Sequence, residues 1–261
     1  FVFQAPALDL IKFEFIFENV YEGDRLPLHN SVLSAMLKEG TKTRTSAEIA
    51  AQIDFYGAFV MPEFSFDHTA ISVYTMHKYV ADVLPIVADI LQHVTVPQQE
   101  LDTHMRNNKQ NLQISLQKND VLARRLFYKE VFGSNRYGIV PSEEMYDLIS
   151  REELLKLYDA QIQPSNCTLL IAGNVDAAVL SHVEHFFGEN WTGSSQSIES
   201  QWSQISPTIG RQIIETKDEA LQSALRMGHT TISRTHTDFP AIQFVNTLFG
   251  GFFGSRLMKN I

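Results

Sequence analysis

The stretch from Leu10 to Glu18 constrains this chain most. Ile11, Phe13, Phe15 and Phe17 fall on one side of an extended backbone, with Lys12, Glu14 and Ile16 on the other. That alternation is the pattern of a half-buried strand, so the phenylalanine face needs other elements to cover it. Helical candidates follow at once. Tyr21-Glu22-Gly23-Asp24 reads as a turn, and Pro27 ends the extended part. Within residues 28–41, Val32, Leu33, Met36 and Leu37 form one apolar stripe at helical period, with Asn30 as the expected N-cap and Gly40 as the expected C-cap.

The rest of the chain continues as alternating helical and extended segments. Thr45-Ser46-Ala47-Glu48 is a capping-box pattern that opens a helix to about residue 56, where Gly57 stops it. Residues 59–66 and 68–76 read as a hairpin turning at Asp67. Residues 78–93 carry a stripe of Val80, Val83, Leu84, Val87, Ile90 and Leu91, and Pro97 suits the first turn of a polar helix over 98–118. Further helices are expected over 121–132, at Ser142-Glu143-Glu144, after the Ser150-to-Glu153 cap and over 176–187, with a strand at 167–172. Residues 189–208 are rich in Ser, Gln and Gly and read as a linker. Beyond them come strand-like runs at 211–215 and 222–228 and a helix at 239–249.

Composition narrows the function classes. The formal net charge of −9 over 261 residues argues against non-specific nucleic-acid binding, which needs a basic surface. No apolar run reaches the length of a membrane span. The single cysteine, Cys167, lies in an apolar run and reads as a core residue. Phe1 is not an initiator Met, so the true start is expected to be missing. A signal peptide removed with it would make the protein periplasmic or secreted, and the sequence leaves the compartment open.

The run Met36-Leu37-Lys38-Glu39-Gly40-Thr41, followed by Arg44, resembles the M-L-x-x-G-T-x-x-R run of the insulinase/pitrilysin family of zinc peptidases. So do Gly57-Ala58, Tyr137-Gly138, Tyr158, Pro164-Ser165-Asn166 and Ala172-Gly173-Asn174-Val175-Asp176. Phe249-Gly250-Gly251 with Ser255-Arg256-Leu257 is similar to a glycine-rich run in the family's second domain. Each motif alone is weak, and their shared order makes the match. The resemblance implies an α+β domain with a mixed, mostly antiparallel sheet and packed helices over residues 1–188. It also implies a linker at 189–208 and the truncated start of a second, related domain at 209–261.

Active members of that family carry H-x-x-E-H on the helix just before the shared run, two His ligating zinc and the Glu activating its water. By register those positions here are Ser31, Ser34 and Ala35. The family's third ligand, a Glu on a later helix, falls on Asn111, and a further family Glu falls on His104. Two hydroxyls, a methyl and a neutral amide do not make a zinc site. No metal and no catalytic residue are therefore expected, zinc being the cofactor of active members only. His182-Val183-Glu184-His185 has its His pair one residue too close for the motif and reads as a solvated helix edge. His29 reads as a helix-start residue, and the polar run 106–111 as a solvated helix face.

The family holds extended peptides against an edge strand of its first domain, which the resemblance places at Phe59, Val60, Met61 and Glu63. Pro62 suits an edge. The expected role is a non-catalytic homologue that pairs with an active insulinase-type subunit or half and helps enclose peptide substrate. A purely structural assembly subunit is one alternative. Part of an active zinc metalloendopeptidase whose metal site lies outside this stretch is another.

Overall fold

The protein is described from a computed structural model over residues 1–21, 26–193, 212–218 and 220–260. Five strands form one sheet in the order β1-β5-β2-β4-β3. They are β1 (Val2–Gln4), β2 (Leu10–Glu18), β3 (Phe59–Phe64), β4 (His68–Met76) and β5 (Cys167–Gly173). The β1–β5 pair is parallel and every other pair is antiparallel. The sheet is thus mixed and mostly antiparallel, as the resemblance implies.

Nine α-helices lie among the described residues: α1 (Pro27–Met36), α2 (Ser46–Phe55), α3 (Val80–Gln92), α4 (Gln98–Ser115), α5 (Asn119–Phe132), α6 (Glu143–Asp147), α7 (Arg151–Gln161), α8 (Ala177–Val183) and α9 (Phe239–Gly250). The predicted alternation of β2 is realised in full. Ile11, Phe13, Phe15 and Phe17 have no exposed surface, because β4 and β5 flank the strand and helices cover its apolar face. Phe187 lies 4.8 Å from Phe15 between ring centroids, and Trp191 lies 6.1 Å from Phe17. The core therefore reaches into the expected linker as far as Trp191. Residues 194–208 lie outside the described residues, as does most of the turn expected at 21–24.

Several boundaries differ from expectation for local reasons. Helix α1 starts at Pro27, whose fixed φ suits a first turn, and not after Asn30. The N–H of Leu26 reaches His29 Nδ1 at 3.2 Å, so His29 serves the helix start from within the first turn. Asn30, freed from capping, lies wholly buried and its Nδ2 donates to Gln161 Oε1 at 2.7 Å. The same helix ends at Met36 and not at Gly40. The helix expected over 176–187 closes as α8, followed by a π-helical turn over Glu184–Glu189. No strand forms at residues 212–215 or 222–228, which have no partner strand among the described residues. Strand β1 escaped the sequence, since its three residues are exposed and carry no period.

Gly173 ends β5 at a φ of +136°, and a Cβ there would sit 2.5 Å from the carbonyl oxygen of Leu10. The A-G-N-V-D run thus needs glycine where β5 crosses the start of β2. Gly173→Ala is expected to destabilise the fold by at least about 2 kcal/mol in urea unfolding, from a strained φ and a backbone clash. An unchanged midpoint would refute this.

Candidate functional site

Helix α1 brings the degenerate positions to the sheet. Ser34 is buried, Ser31 and Ala35 are half-buried, and Asn111 is exposed on α4. Among the described residues, the side chains of Ser31, Ser34 and Asn111 form no hydrogen bond. A hydrogen-bonded polar bridge between the two helices at these positions, which the family resemblance would suggest, is therefore not made by these side chains. The link that does exist runs about two turns earlier on α4, at His104. His104 is half-buried, burial lowers its pKa, and the Glu39 carboxylate beyond the end of α1 opposes that shift.

The retained half of the motif is held tightly. Thr41 Oγ1, Thr43 Oγ1 and Arg44 Nη1 all donate to Asp89 Oδ2, at 2.6, 2.7 and 2.6 Å. The other oxygen of Asp89 meets His93 Nδ1 at 3.1 Å. Burial pushes Asp89 up, but the three donors and the Arg44 charge outweigh it and hold the carboxyl below its ordinary range. Gly40 lies where a Cβ would approach Pro97 Cγ to 2.6 Å, so glycine lets the loop pack against the entry to α4. That entry is pinned from outside as well: Arg151 donates to the carbonyls of Thr95 and Val96, both at 2.8 Å. Between them the chain is strained, since Val96 takes a φ of +45° just before Pro97. Glycine, threonine and arginine of the motif are therefore structural, and they tie the loop after α1 to α3 and to the entry of α4.

A buried polar chain continues from α1. Gln161 Oε1 accepts from Asn30 Nδ2 and from the N–H of Val20, its Nε2 reaches Thr69 Oγ1 at 3.1 Å, and Thr69 donates to Asn19. Sequence reading missed Asp89 and Gln161. A carboxylate inside the apolar stripe of residues 80–91 was the available signal for the first, and nothing flagged the second.

The peptide-binding candidates lie on β3, which is an edge strand. The hairpin closes with Ser65 N–H donating to the His68 carbonyl at 2.9 Å, and the register pairs Phe64 with Thr69. Counting back in an antiparallel ladder, Glu63, Met61 and Phe59 bond to β4, whereas the backbones of Val60, Pro62 and Phe64 face the free edge. Pro62 thus costs no ladder bond. The side chains divide the other way. Phe59 is 62% exposed, and Met61 and Glu63 are exposed beside it, while Val60 is buried and can offer a partner only its backbone.

Other candidates stay apart. His182 and His185 are not joined by any third ligand, for no group of three or more His, Cys, Asp or Glu able to hold a metal occurs among the described residues. Cys167 is half-buried, and burial pushes its thiol up to about 12. A cavity of about 540 Å³ lies between α5 and residues 212–226 and includes none of the predicted site residues.

Asp89→Ala should cost about 3 kcal/mol, since it leaves Arg44 and two hydroxyls facing a partly buried void. Thermal or urea unfolding checks this, and a loss under about 1 kcal/mol would refute it. For His104, a lowered folded pKa means the unfolded chain takes up its proton first. Its contribution is fully present above the unfolded pKa near 6.5 and is lost as pH falls through the lower folded value. His104→Gln should therefore unfold with a shallower pH dependence than the parent below about pH 6.5. Superimposable profiles would refute the burial argument.

Comparison with known proteins bears on this arrangement. The model of the family described as "Peptidase M16 inactive domain" matches residues 148–261. An uncharacterized zinc protease of Rickettsia bellii is 26% identical over 235 residues, 88% of this chain and 55% of that protein. A probable inactive metalloprotease of Bacillus subtilis, YmfF, is 30% identical over 139 residues, 51% of this chain and 32% of that protein. Among solved structures, a peptidase M16 inactive domain from Pseudomonas fluorescens superimposes with a TM-score of 0.77 at 18% identity, over 99% of this chain and 64% of that one. A protease from Helicobacter pylori gives 0.79 at 13% identity, over 97% and 63%. The chain spans about half the length of the curated relatives it matches. Residues 148–261 are thus similar to the peptidase M16 inactive domain, and the chain shares the fold of a solved domain of that description.

Proposed function

We propose that this inactive domain pairs with an active insulinase-type zinc peptidase subunit or half and helps hold extended peptide for it. The observation that carries the reading is a division within one motif. The glycine, threonine and arginine that shape the loop keep their partners around Asp89 and Pro97. The positions that would bind metal have become Ser31, Ser34, Ala35 and Asn111. Those groups do not fit zinc, and no chemical step is assigned to them. What the domain retains for peptide is the free edge of β3, with the N–H groups of Val60 and Phe64 and three carbonyls available for strand addition. Strand addition reads backbone, so it suits unfolded peptides of varied sequence.

A structural assembly role is the alternative, and one observation favours it. Helix α9 exposes Phe244, Val245, Leu248 and Phe249, followed by Phe252 and Phe253. Contiguous apolar surface of that kind is commonly covered by another protein surface.

Two measurements separate the readings. Amide hydrogen exchange with an unfolded peptide in excess should slow Val60 and Phe64, leaving Phe59, Met61 and Glu63 as protected as before by β4. Peptide binding without that protection would sink the strand-addition reading. Introducing Ser31→His, Ser34→Glu, Ala35→His and Asn111→Glu together should create stoichiometric zinc binding by elemental analysis. A variant that stays folded and takes up no zinc would overturn the register on which the reading rests.

A further inference from the structure

The two edges of the sheet are built differently. At β3, Pro62 removes an outward donor and Glu63 stands exposed, and both discourage pairing with another chain. The opposite edge, β1, has neither device. Residues 1–8 carry no ionisable side chain, in a chain of formal net charge −9. Phe3 is 61% exposed and Val2 44%. The bonds from β5 fix which backbone groups of β1 stay free. The Phe1 carbonyl accepts from the Ile171 N–H at 2.9 Å, and the Ala5 N–H donates to the Gly173 carbonyl at 2.7 Å. Residues facing one neighbour alternate along a strand, so Phe1, Phe3 and Ala5 face β5. Val2 and Gln4 turn their N–H and C=O groups outward, where no strand among the described residues takes them. Phe3 lies opposite Ala172, and Ala172 opposite Lys12, so its ring stands on the face away from the core phenylalanines. The strand is also ordered in advance, since Gln4 Nε2 donates to the Val175 carbonyl at 2.6 Å.

We infer that β1 is the seam of a symmetric dimer, in which it pairs antiparallel with β1 of a second copy of this chain. The strand is complementary to itself. With a two-fold axis at Phe3, Val2 of each copy meets Gln4 of the other, and the two residues exchange both backbone bonds. Phe3 then meets Phe3 of the second copy at a pair without such bonds, where side chains on one face come closest. An aromatic pair at that point covers two rings that otherwise face water. A second copy is the occupant this edge fits, because it brings the same short, uncharged strand in matching register. A seam free of charge is also where two chains of net charge −9 meet at the least electrostatic cost. The pairing joins two five-stranded sheets into one and leaves both β3 edges open at its far ends. It therefore stands apart from the peptide-binding reading.

Sedimentation equilibrium of the unaltered chain should show a 29.6 kDa monomer exchanging with a species of twice that mass. A seam this short predicts a Kd on the order of 10–100 μM. Added salt should tighten the dimer, since it screens repulsion between two acidic chains and the seam has no ion pair to lose. The Val2 and Gln4 amides should exchange more slowly as protein concentration rises, while Phe3, already bonded to β5, stays unchanged. Phe3→Lys and Phe3→Glu should each weaken the dimer at least about tenfold, through loss of the aromatic pair and a like charge opposite. An equimolar mixture of the two variants should pair again as a heterodimer. A monomer at about 1 mM with no concentration-dependent protection overturns the inference. A dimer that Phe3→Lys leaves unchanged, as association through the exposed face of α9 would, overturns the seam. So does a mixture of the two variants that fails to pair. The exchange measurement on unaltered protein decides the matter even where a variant fails to fold.

Discussion

Strand β2 is the element on which the rest depends. Its four inward side chains, Ile11, Phe13, Phe15 and Phe17, have no contact with solvent, and its backbone is bonded on both flanks. Each buried phenylalanine removes a large apolar area from water, worth about 2–3 kcal/mol apiece before packing is counted. A one-residue slip against β4 would turn that whole face outward and bring Lys12 and Glu14 into the core. The register is therefore fixed by the hydrophobic effect, and with it the position of β3, since β4 carries β3 on its other side. The open edge where peptide is proposed to bind is a consequence of packing at the centre of the sheet.

The same logic explains how helix α1 is held over the sheet. A covering helix can be stabilised by packing alone. In α1 this is what remains: Val32, Leu33 and Met36 are buried, and Asn30 is tied to Gln161. The loop after the helix answers to a different demand. Thr41, Thr43 and Arg44 converge on one buried carboxylate, and removing any of them leaves Asp89 less than fully satisfied. Asp89 thus constrains its three donors together, whereas Ser31 and Ser34 are tied to no side-chain partner among the described residues. The retained part of the motif answers to a carboxylate.

Legibility in the sequence followed the same division. Patterns set by burial or by one local bond were read nearly to the residue. The β2 alternation, the β4 run and the two capping boxes opening α2 and α7 are cases where the signal and the structure are the same physical fact. Readings that depended on distant partners were not reached. Asn30 looks like a cap until Gln161, far along the chain, takes its amide. Gly40 looks like a helix end until Pro97 comes within contact of it. Strand β1 is exposed along its length and exists because β5 offers a parallel edge. The assignment of Ser31 and Ser34 to metal positions rests on the family resemblance alone, because a serine on a helix carries no signal of its own.

The edge itself shows how one residue can report on both links. Proline inside a sheet normally removes a ladder bond, which confines it to places where its nitrogen has no partner. From composition alone Pro62 says only that β3 is an edge. The hairpin register adds which way the nitrogen points, because the bond from Ser65 to His68 fixes the alternation of paired and unpaired residues back along the strand. Pro62 falls on the outward set, between Val60 and Phe64. It therefore leaves β4 untouched and subtracts one donor from the free edge. Two N–H groups and three carbonyls remain, enough to align an incoming strand and too few to template a long one. An edge thinned in this way resists sheet-to-sheet aggregation and keeps donors and acceptors for the short extended segment proposed to bind there. Any discrimination among such segments must then come from side chains around the edge, where Phe59, Met61 and Glu63 are exposed.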